Sequence, residues 1–353
     1  MKKLLVGLVL ALPMAAQAIE INVATTNCPV GISGGTPSDD TAVCNQLQQD
    51  IATEANKNVP EVSIDKYAEG ISDSTAFAMK GQGSDYADNF DIFTIKGSLG
   101  AAFKGDMDEP EQAEGIGLGA AVTVGVNLNL LPIDKIGGVE LKDFDLFFSA
   151  MSYSTDQDLE DLTIEGDTSS LGMHVRWRFI EGVDIFPGNM LRWGGVQVHT
   201  GYQRNSMKID MTQSLKDQRV ETNNGNATFG DASVKFNIDS QTSSIPFEIS
   251  TSIRALYVFT LYTGFGFDYN ISGNTDIDLG ASGTVSGDAG GAAAGYQASI
   301  NANESGDGSI STTSMRAFLG LQFNIPVVRI YVHANKGLGD DQLGVNTGVK
   351  INW

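Results

Sequence analysis

Strict alternation of apolar with small or polar residues is the feature that most restricts the fold of this chain. In the segment from Ile116 to Leu130, every even position is apolar and every odd position is small or polar. Successive side chains of a β-strand point to opposite faces of the sheet. The pattern therefore predicts a strand with one apolar face and one small or hydrophilic face.

The same period-two pattern recurs in nine further segments between residue 91 and the C terminus. These segments run about 7 to 15 residues, whereas strands of soluble proteins usually have about 5 or 6. A soluble sandwich also alternates, but its outer face is polar and solvated. Here that face would hold much glycine, alanine and phenylalanine. We therefore predict an all-β fold, a transmembrane antiparallel β-barrel over residues 91–353.

The connections between the segments alternate between short and long, which is typical of membrane barrels. They predict ten strands, with a tight turn at Arg254–Tyr257 dividing the long apolar alternation from Phe247 to Tyr269. The loop Ile271–Thr313 is rich in small polar residues, which favours a solvated loop over a hairpin extension. A hidden hairpin would raise the count to twelve strands. The long polar connections are predicted at Lys104–Glu114, Ser154–Ser169, Asn205–Gln241, Ile271–Thr313 and Lys336–Gln342.

The first 18 residues have the pattern of an export signal. Lys2 and Lys3 precede an apolar run from Leu4 to Met14, and Ala16-Gln17-Ala18 offers a small-x-small cleavage site. The run is too short to span a membrane. We predict a signal peptide over residues 1–18 and a mature chain that starts at Ile19.

The two cysteines, Cys28 and Cys44, are 16 positions apart in the N-terminal segment. Export places them in an oxidising compartment, where they are expected to form one disulfide. Such a bond stabilises by roughly 3 kcal/mol in the loop-entropy model.

The chain ends in an aromatic residue that follows apolar residues at alternate positions: Val345, Val349, Ile351 and Trp353. This segment resembles the insertion signal of bacterial outer-membrane β-barrel proteins, with tryptophan in place of the commoner phenylalanine and Thr347 interrupting the apolar row. The resemblance implies the outer membrane of a Gram-negative-type bacterium, insertion by barrel-assembly machinery, and outer-membrane lipid as the surroundings. It indicates the superfamily and no particular transporter or enzyme.

Residues 19–90 lack the alternation and contain two predicted helices. One has Asp39 and Asp40 in its first turn and ends at Pro60, and the second runs from about Ile64 to Met79. Their apolar stripes are narrow, so they must pack on something to persist. Two interpretations stay open: a periplasmic appendage, or a plug that enters the barrel lumen.

The polar face of the strands carries the candidate site. Basic side chains outnumber acidic ones there, and six charged residues are expected near the periplasmic end. They could form a constriction that selects small anions or a salt-bridge network that stiffens a closed interior. The second is favoured because barrels of about eight strands are filled by side chains. The six residues are Arg178, Arg254, Arg329, Lys350, Asp143 and Asp145.

Several function classes are disfavoured. A net charge of −21 argues against nucleic-acid binding, and no grouping of nucleophile, base and orienting residue can be identified. The fragment Asp276-Ile277-Asp278 departs from a calcium loop, since Ala281 stands at the turn-glycine position and Gly287 at that of the closing glutamate. We expect no enzyme activity, no cofactor and no metal.

The predicted function is porin-like, with passive or gated passage of small hydrophilic solutes. The alternative is a structural or surface-interaction barrel, adhesin-like, that acts through acidic extracellular loops. On the assigned faces, Val122→Arg places a charge in lipid, whereas Thr123→Arg points into the lumen and is expected to be tolerated better.

Overall fold

A computed structural model describes residues 22–28, parts of 41–53, 64–87 and most of 92–353. Within the last range, residues 106–113, 137, 160, 187–189, 216–217, 223–224, 288–295 and 326 are not described. The predicted signal peptide and much of the first predicted helix lie outside the described residues. Those described between 41 and 53 are helical. Among the described helices, none has the length and hydropathy needed to cross a bilayer.

The described part of the chain is mostly β-strand. In chain order the elements are β1 (Asn22–Asn27), α1 (Ile64–Ala78), β2 (Phe93–Lys104), β3 (Gly115–Asn127), β4 (Lys135–Ile136), β5 (Val139–Glu140), β6 (Phe144–Leu159), β7 (Leu162–Ile180), β8 (Val183–Asp184), β9 (Leu191–Leu215), β10 (Gln218–Thr222), β11 (Gly225–Ala255), β12 (Phe259–Gly287), β13 (Gln297–Ser309), β14 (Thr313–Asn324), β15 (Val328–Gly337) and β16 (Gln342–Asn352).

Ten of the described strands form a closed antiparallel ring in the order β2, β3, β6, β7, β9, β11, β12, β14, β15, β16. The ring closes where β16 pairs with β2, from Asn352 opposite Thr94 to Gln342 opposite Lys104. Closure satisfies the backbone groups that an open sheet edge would expose to hydrocarbon. The prediction of an antiparallel transmembrane barrel with ten strands is confirmed.

The two faces of the wall follow the sequence alternation. Val122 and Leu99 point outward with 47% and 62% of their side chains exposed, whereas Thr123 and Ser98 point inward and are buried. The outward face forms an apolar band, which is the surface that lipid requires. Strand β3 stops at Asn127, short of the predicted Leu130, because the Asn127 side chain accepts a hydrogen bond from the Asn129 backbone and caps a short 3-10 turn.

We assign the periplasm to the rim where the ring strands end without long extensions, because long extensions are typical of the extracellular side. The turn between β11 and β12 places Leu256 and Tyr257 at φ of 52° and 60°, which confirms the predicted tight turn. Between β3 and β6, the small hairpin of β4 and β5 carries Glu140, which Lys135 and Lys142 contact at 2.9 and 2.7 Å. Hydrogen bonds from Lys135 and then Lys142 lower the pKa of Glu140 to about 2.

The opposite rim differs from the prediction, because three of the predicted long loops are extended strands. Pairing between β6 and β7 continues to Leu159 opposite Leu162, and β9 pairs with β11 out to Leu215 opposite Ala232. The preference for a solvated loop over Ile271–Thr313 was wrong, since β12 and β13 form a hairpin there. Outside the membrane both faces of a strand tolerate polar residues, so the alternation that marks a strand weakens while backbone pairing continues.

These extensions form a sheet outside the membrane on the extracellular side, which we call the extracellular sheet. Its order is β6, β7, β9, β11, β12, β13 and β1, and its inner face carries an apolar cluster that includes Ile164, Met207, Phe236, Ile238 and Ile277. The hairpin of β12 and β13 lies above the ring and adds no strand to the barrel wall.

The N-terminal segment occupies two places in this architecture. Strand β1 pairs with β13 at the edge of the extracellular sheet. Helix α1 and the turn that follows it, to Ala87, lie inside the ring and are buried from Gly70 onward. We call residues 64–87 the plug.

Candidate functional site

The plug helix packs against a glycine-rich stripe of the barrel wall. The helix predicted over Ile64–Met79 is observed as Ile64–Ala78. Glycines 115, 117 and 119 of β3 face it, and a β-carbon at Gly117 would overlap the backbone of Ser74. Because these positions lack side chains, the helix backbone approaches the wall directly. The Ser74 hydroxyl donates to the Gly115 carbonyl at 3.2 Å.

Gly117→Val tests this contact. The added side chain has no room beside Ser74, and overpacking of this kind costs about 1–3 kcal/mol or more. We expect a lower thermal midpoint of the purified barrel and greater protease sensitivity of the plug. Gly97→Val is the matched control, because a β-carbon at Gly97 on the outer face meets nothing within 4 Å. Equal loss of stability in both variants would contradict the packing described.

Below the helix, the plug is held by a buried cluster of charges around Asp268 of β12. The Lys80 ammonium lies 3.0 Å from the Asp268 carboxylate and donates to the Ser244 hydroxyl at 2.8 Å. The Arg316 guanidinium donates to Asp268 at 3.0 Å and also pairs with Glu248. The side chains in this cluster are almost completely buried. Breaking such a pair is strongly destabilising, because removal of one partner leaves an uncompensated buried charge. The cluster therefore opposes movement of Lys80 away from the barrel wall.

A second cluster surrounds Asp85 nearer the periplasmic rim. Both carboxylate oxygens of Asp85 accept from the Lys350 ammonium at 2.6 Å. Arg176 donates to the Asp85 backbone carbonyl at 2.6 Å and pairs with Asp145 at 2.6 Å. Lys96 lies beside Lys350 on the neighbouring strand and donates to the Ser84 carbonyl. The plug therefore supplies carboxylate and carbonyl oxygens to cations on three strands.

Tyr86 fills the space between the two clusters. Its hydroxyl donates to Glu248 at 2.7 Å, and its ring contacts His199, Tyr262, Phe318 and His333 at centroid distances of 4.8 to 5.6 Å. The cavity that remains beside Tyr86 and Lys350 has a free volume of about 10 Å³, roughly the space of one water. Among the described residues, the plug side chains therefore fill the lumen around Tyr86.

The structure separates the six predicted site residues into two groups. Lys350 and Asp145 are buried in the plug clusters. The other four are partly buried at the same periplasmic end: Asp143, Arg178, Arg254 and Arg329. Arg178 donates to the Lys142 carbonyl, and Arg329 stands opposite Lys350 in the β15–β16 pairing.

The other predicted features lie at the surface. Val345, Val349 and Trp353 point outward with 44%, 46% and 48% of their side chains exposed, and Ile351 lies on the same face. The Trp353 ring stacks on Phe93 at 4.4 Å, where the ring of strands closes. Cys28 and Cys44 form a disulfide with a Cα–Cα distance of 6.2 Å. Among the described residues, no group of three or more His, Cys, Asp or Glu side chains is arranged to hold a metal ion.

Sequence reasoning missed the residues that connect helix and barrel. Lys80, Gln82, Asp85 and Tyr86 supply most polar contacts of the plug; Gln82, for example, contacts the Gly119 carbonyl and the Asn346 side chain at 3.3 and 3.1 Å. The one feature of the sequence that indicated the plug was the row of glycines on the inner face of β3. These glycines leave room for the backbone of a helix inside the barrel.

A closed antiparallel ring with an apolar outer band and a filled polar interior defines this molecule as an outer-membrane β-barrel protein. The chain belongs to the Lsa36-like family, whose sequence profile matches residues 24–353. No curated protein matches the sequence.

Several solved structures are similar to this chain at low sequence identity. The translocator domain of autotransporter NalP from Neisseria meningitidis is 8% identical, with 89% of this chain and 98% of that chain covered and a TM-score of 0.29. A major outer membrane protein from Thermus thermophilus is 13% identical, with 60% and 98% covered and a TM-score of 0.27. The Ralstonia pickettii toluene transporter TbuX is 6% identical, with 84% and 100% covered and a TM-score of 0.25. Because these scores are below 0.5, the fold assignment rests on the strand pairing of this chain.

Proposed function

We propose that this protein is a closed outer-membrane barrel that acts at the cell surface through its extracellular sheet and does not conduct solutes at rest. The observation that carries the proposal is the network of buried charges that holds the plug. Among the described residues, five buried cations and four buried carboxylates meet in the lumen around Tyr86. They are Lys80, Lys96, Arg176, Arg316 and Lys350, and Asp85, Asp145, Glu248 and Asp268.

Conductance measurements test the proposal. Full-length protein in a planar bilayer should be silent, because among the described residues the plug fills the lumen around Tyr86. A general porin measured in the same bilayers serves as the positive control. Steady, discrete conductance from the wild-type protein would overturn the proposal in favour of the porin-like function.

The outer face of the extracellular sheet offers a predominantly acidic binding surface. Carboxylates stand opposite one another on neighbouring strands, as in Asp156 with Glu165, Glu165 with Asp210, and Asp276 with Asp307. Directly opposed like charges repel each other and destabilise a sheet. Lys208 reduces this repulsion locally by pairing with Asp239 at 2.5 Å. A positively charged partner would reduce the repulsion over more of the face and would be attracted to it electrostatically.

Polylysine is a suitable probe of this face. We expect Asp276→Asn with Asp278→Asn to weaken polylysine binding roughly tenfold, or about 1.4 kcal/mol, and wild-type binding to fall as salt screens the charges. The control is Asp340→Asn with Asp341→Asn, which removes the same charge from the exposed turn before β16. Equal weakening by both pairs, measured by titration of the purified barrel, would show that net charge and not this face determines binding.

A second candidate function is gated passage, supported by the polar character of the lower plug. From Lys80 to Tyr86 its contacts to the wall include ion pairs and hydrogen bonds, which water can replace if the plug moves. The barrel would then conduct only after a signal displaces residues 79–87. Silence of the wild type together with conductance after loss of the ion pairs would support this function.

A further inference from the structure

The direction in which the plug runs through the barrel is fixed at its upper end by apolar packing. Ile64 and Tyr67 belong to the cluster formed by side chains on the extracellular parts of β7, β9, β11 and β12. Glycines 306 and 308 of β13 lie directly against Ile64 and Glu69. Helix α1 therefore begins at the extracellular mouth.

The lower end of the plug lies toward the periplasm. Asp85 binds Lys350 two residues before the end of β16, and Arg176 of the same cluster pairs with Asp145 at the start of β6. The barrel wall then starts with β2 at the same rim, where the Ile92 amide donates to the Trp353 carbonyl at 2.8 Å. From Ile64 to Ala87 the chain thus passes within the ring from the outside toward the periplasmic rim, where the described chain resumes at Ile92.

The described residues before the plug lie outside. Strand β1 pairs with β13 from Asn22 opposite Asn301 to Thr25 opposite Ala298, at the far edge of the extracellular sheet. The Thr25 hydroxyl lies 3.1 Å from the buried Tyr296 hydroxyl and 3.1 Å from Gln48. The disulfide joins Cys28, just after β1, to Cys44 in the helical residues. The described residues before the plug are therefore held on the extracellular sheet through β1, the Thr25 contacts and the disulfide.

We infer that this protein displays its own mature N-terminal segment on the cell surface, with residues 64–87 as a tether through the lumen. The ring is closed by continuous pairing between β16 and β2, so a chain that joins the outside to β2 must pass through the lumen. The displayed segment, with β1 and the disulfide, extends the extracellular sheet by one strand. This inference concerns topology and stands whether or not the acidic face binds a cationic partner.

Labelling of intact cells with a maleimide coupled to a polyethylene glycol too large for porins tests the inference. Thr26→Cys, at an exposed position of β1, is made in a chain where Cys28 and Cys44 are replaced by serine. We expect equal labelling of Thr26→Cys on intact cells and on cells with a permeabilised outer membrane. Lys135→Cys in the periplasmic hairpin is the matched control, and it should be labelled only after permeabilisation.

The wild-type chain provides a second measurement that needs no substitution. After treatment of intact cells with a phosphine reductant, Cys28 should become reactive toward the same large maleimide without permeabilisation. If Thr26→Cys and Cys28 react only after permeabilisation, the N-terminal segment is periplasmic and the inference is overturned. Bilayer conductance is recorded on the same wild-type preparation, so that an open pore with a labelled N terminus contradicts the proposed function but not the display.

Discussion

Arg316→Met should lower the free energy of unfolding by about 3–5 kcal/mol, because it leaves buried carboxylates without their cation. Arg316 is completely buried and contacts Asp268, Glu248 and Asn335. In the variant, Asp268 would still pair with Lys80. Of the contacts described above, Glu248 would retain only the hydrogen bond from the Tyr86 hydroxyl. Denaturant unfolding of the barrel in lipid measures the effect. The same variant should also loosen the plug and produce transient conductance in planar bilayers.

Two controls distinguish the effect of an unpaired buried carboxylate from the general effect of removing an arginine. Arg204→Met removes an exposed arginine from β9 and should change stability within about 0.5 kcal/mol. Arg316→Met combined with Glu248→Leu should recover part of the loss, since the orphaned carboxylate is removed as well. If Arg316→Met unfolds like the wild type, the plug is not held by this cluster.

Val122→Arg should destabilise the barrel by about 2–4 kcal/mol if the position lies near the bilayer midplane. Val122 points outward from the middle of β3, between Gly97 and Ala150 on the neighbouring strands. Asn303→Arg introduces the same side chain on the exposed surface of β13, outside the ring, and should be nearly neutral. Val122→Leu controls for size. Equal cost at positions 122 and 303 in denaturant unfolding would mean that the apolar face of β3 does not contact hydrocarbon.

Thr123→Arg is not a suitable control for Val122→Arg. The inward direction predicted for Thr123 is correct, but its side chain is completely buried and its hydroxyl donates to the Gln82 carbonyl of the plug at 3.1 Å. An arginine there would collide with the plug. The expectation of tolerance considered only the direction of the side chain, and the plug occupies the space that an arginine would need.

The period-two alternation was sufficient to predict the barrel because hydrocarbon imposes a strict rule on the outer face. Lipid-facing positions are predominantly apolar, so the pattern of β3 or β14 can be read directly from the residues. No such rule applies above the membrane, where the extended parts of β9, β11 and β12 carry polar residues on their outer face. That is why these extensions were predicted as loops.

The inward direction of the charged residues in the barrel wall can be predicted from the alternation within each strand. The plug residues that pair with them cannot be predicted in this way. Arg176, Arg316 and Lys350 stand at inward positions of the alternation, and the structure buries all three. Asp85 and Lys80 lie in a short turn without periodicity, so nothing local indicates that they meet those cations. The pairs join residues up to 265 positions apart.

The sequence by itself determined the closed antiparallel wall and its lipid-facing side, because these depend on local periodicity. Only the tertiary structure decided that residues 64–87 fill the lumen and that β1 lies on the extracellular sheet. Those placements depend on long-range packing between glycine-lined walls and a helix, and on ion pairs whose members are remote in the chain. Periodicity records which solvent a face meets, but not which distant segment occupies the interior.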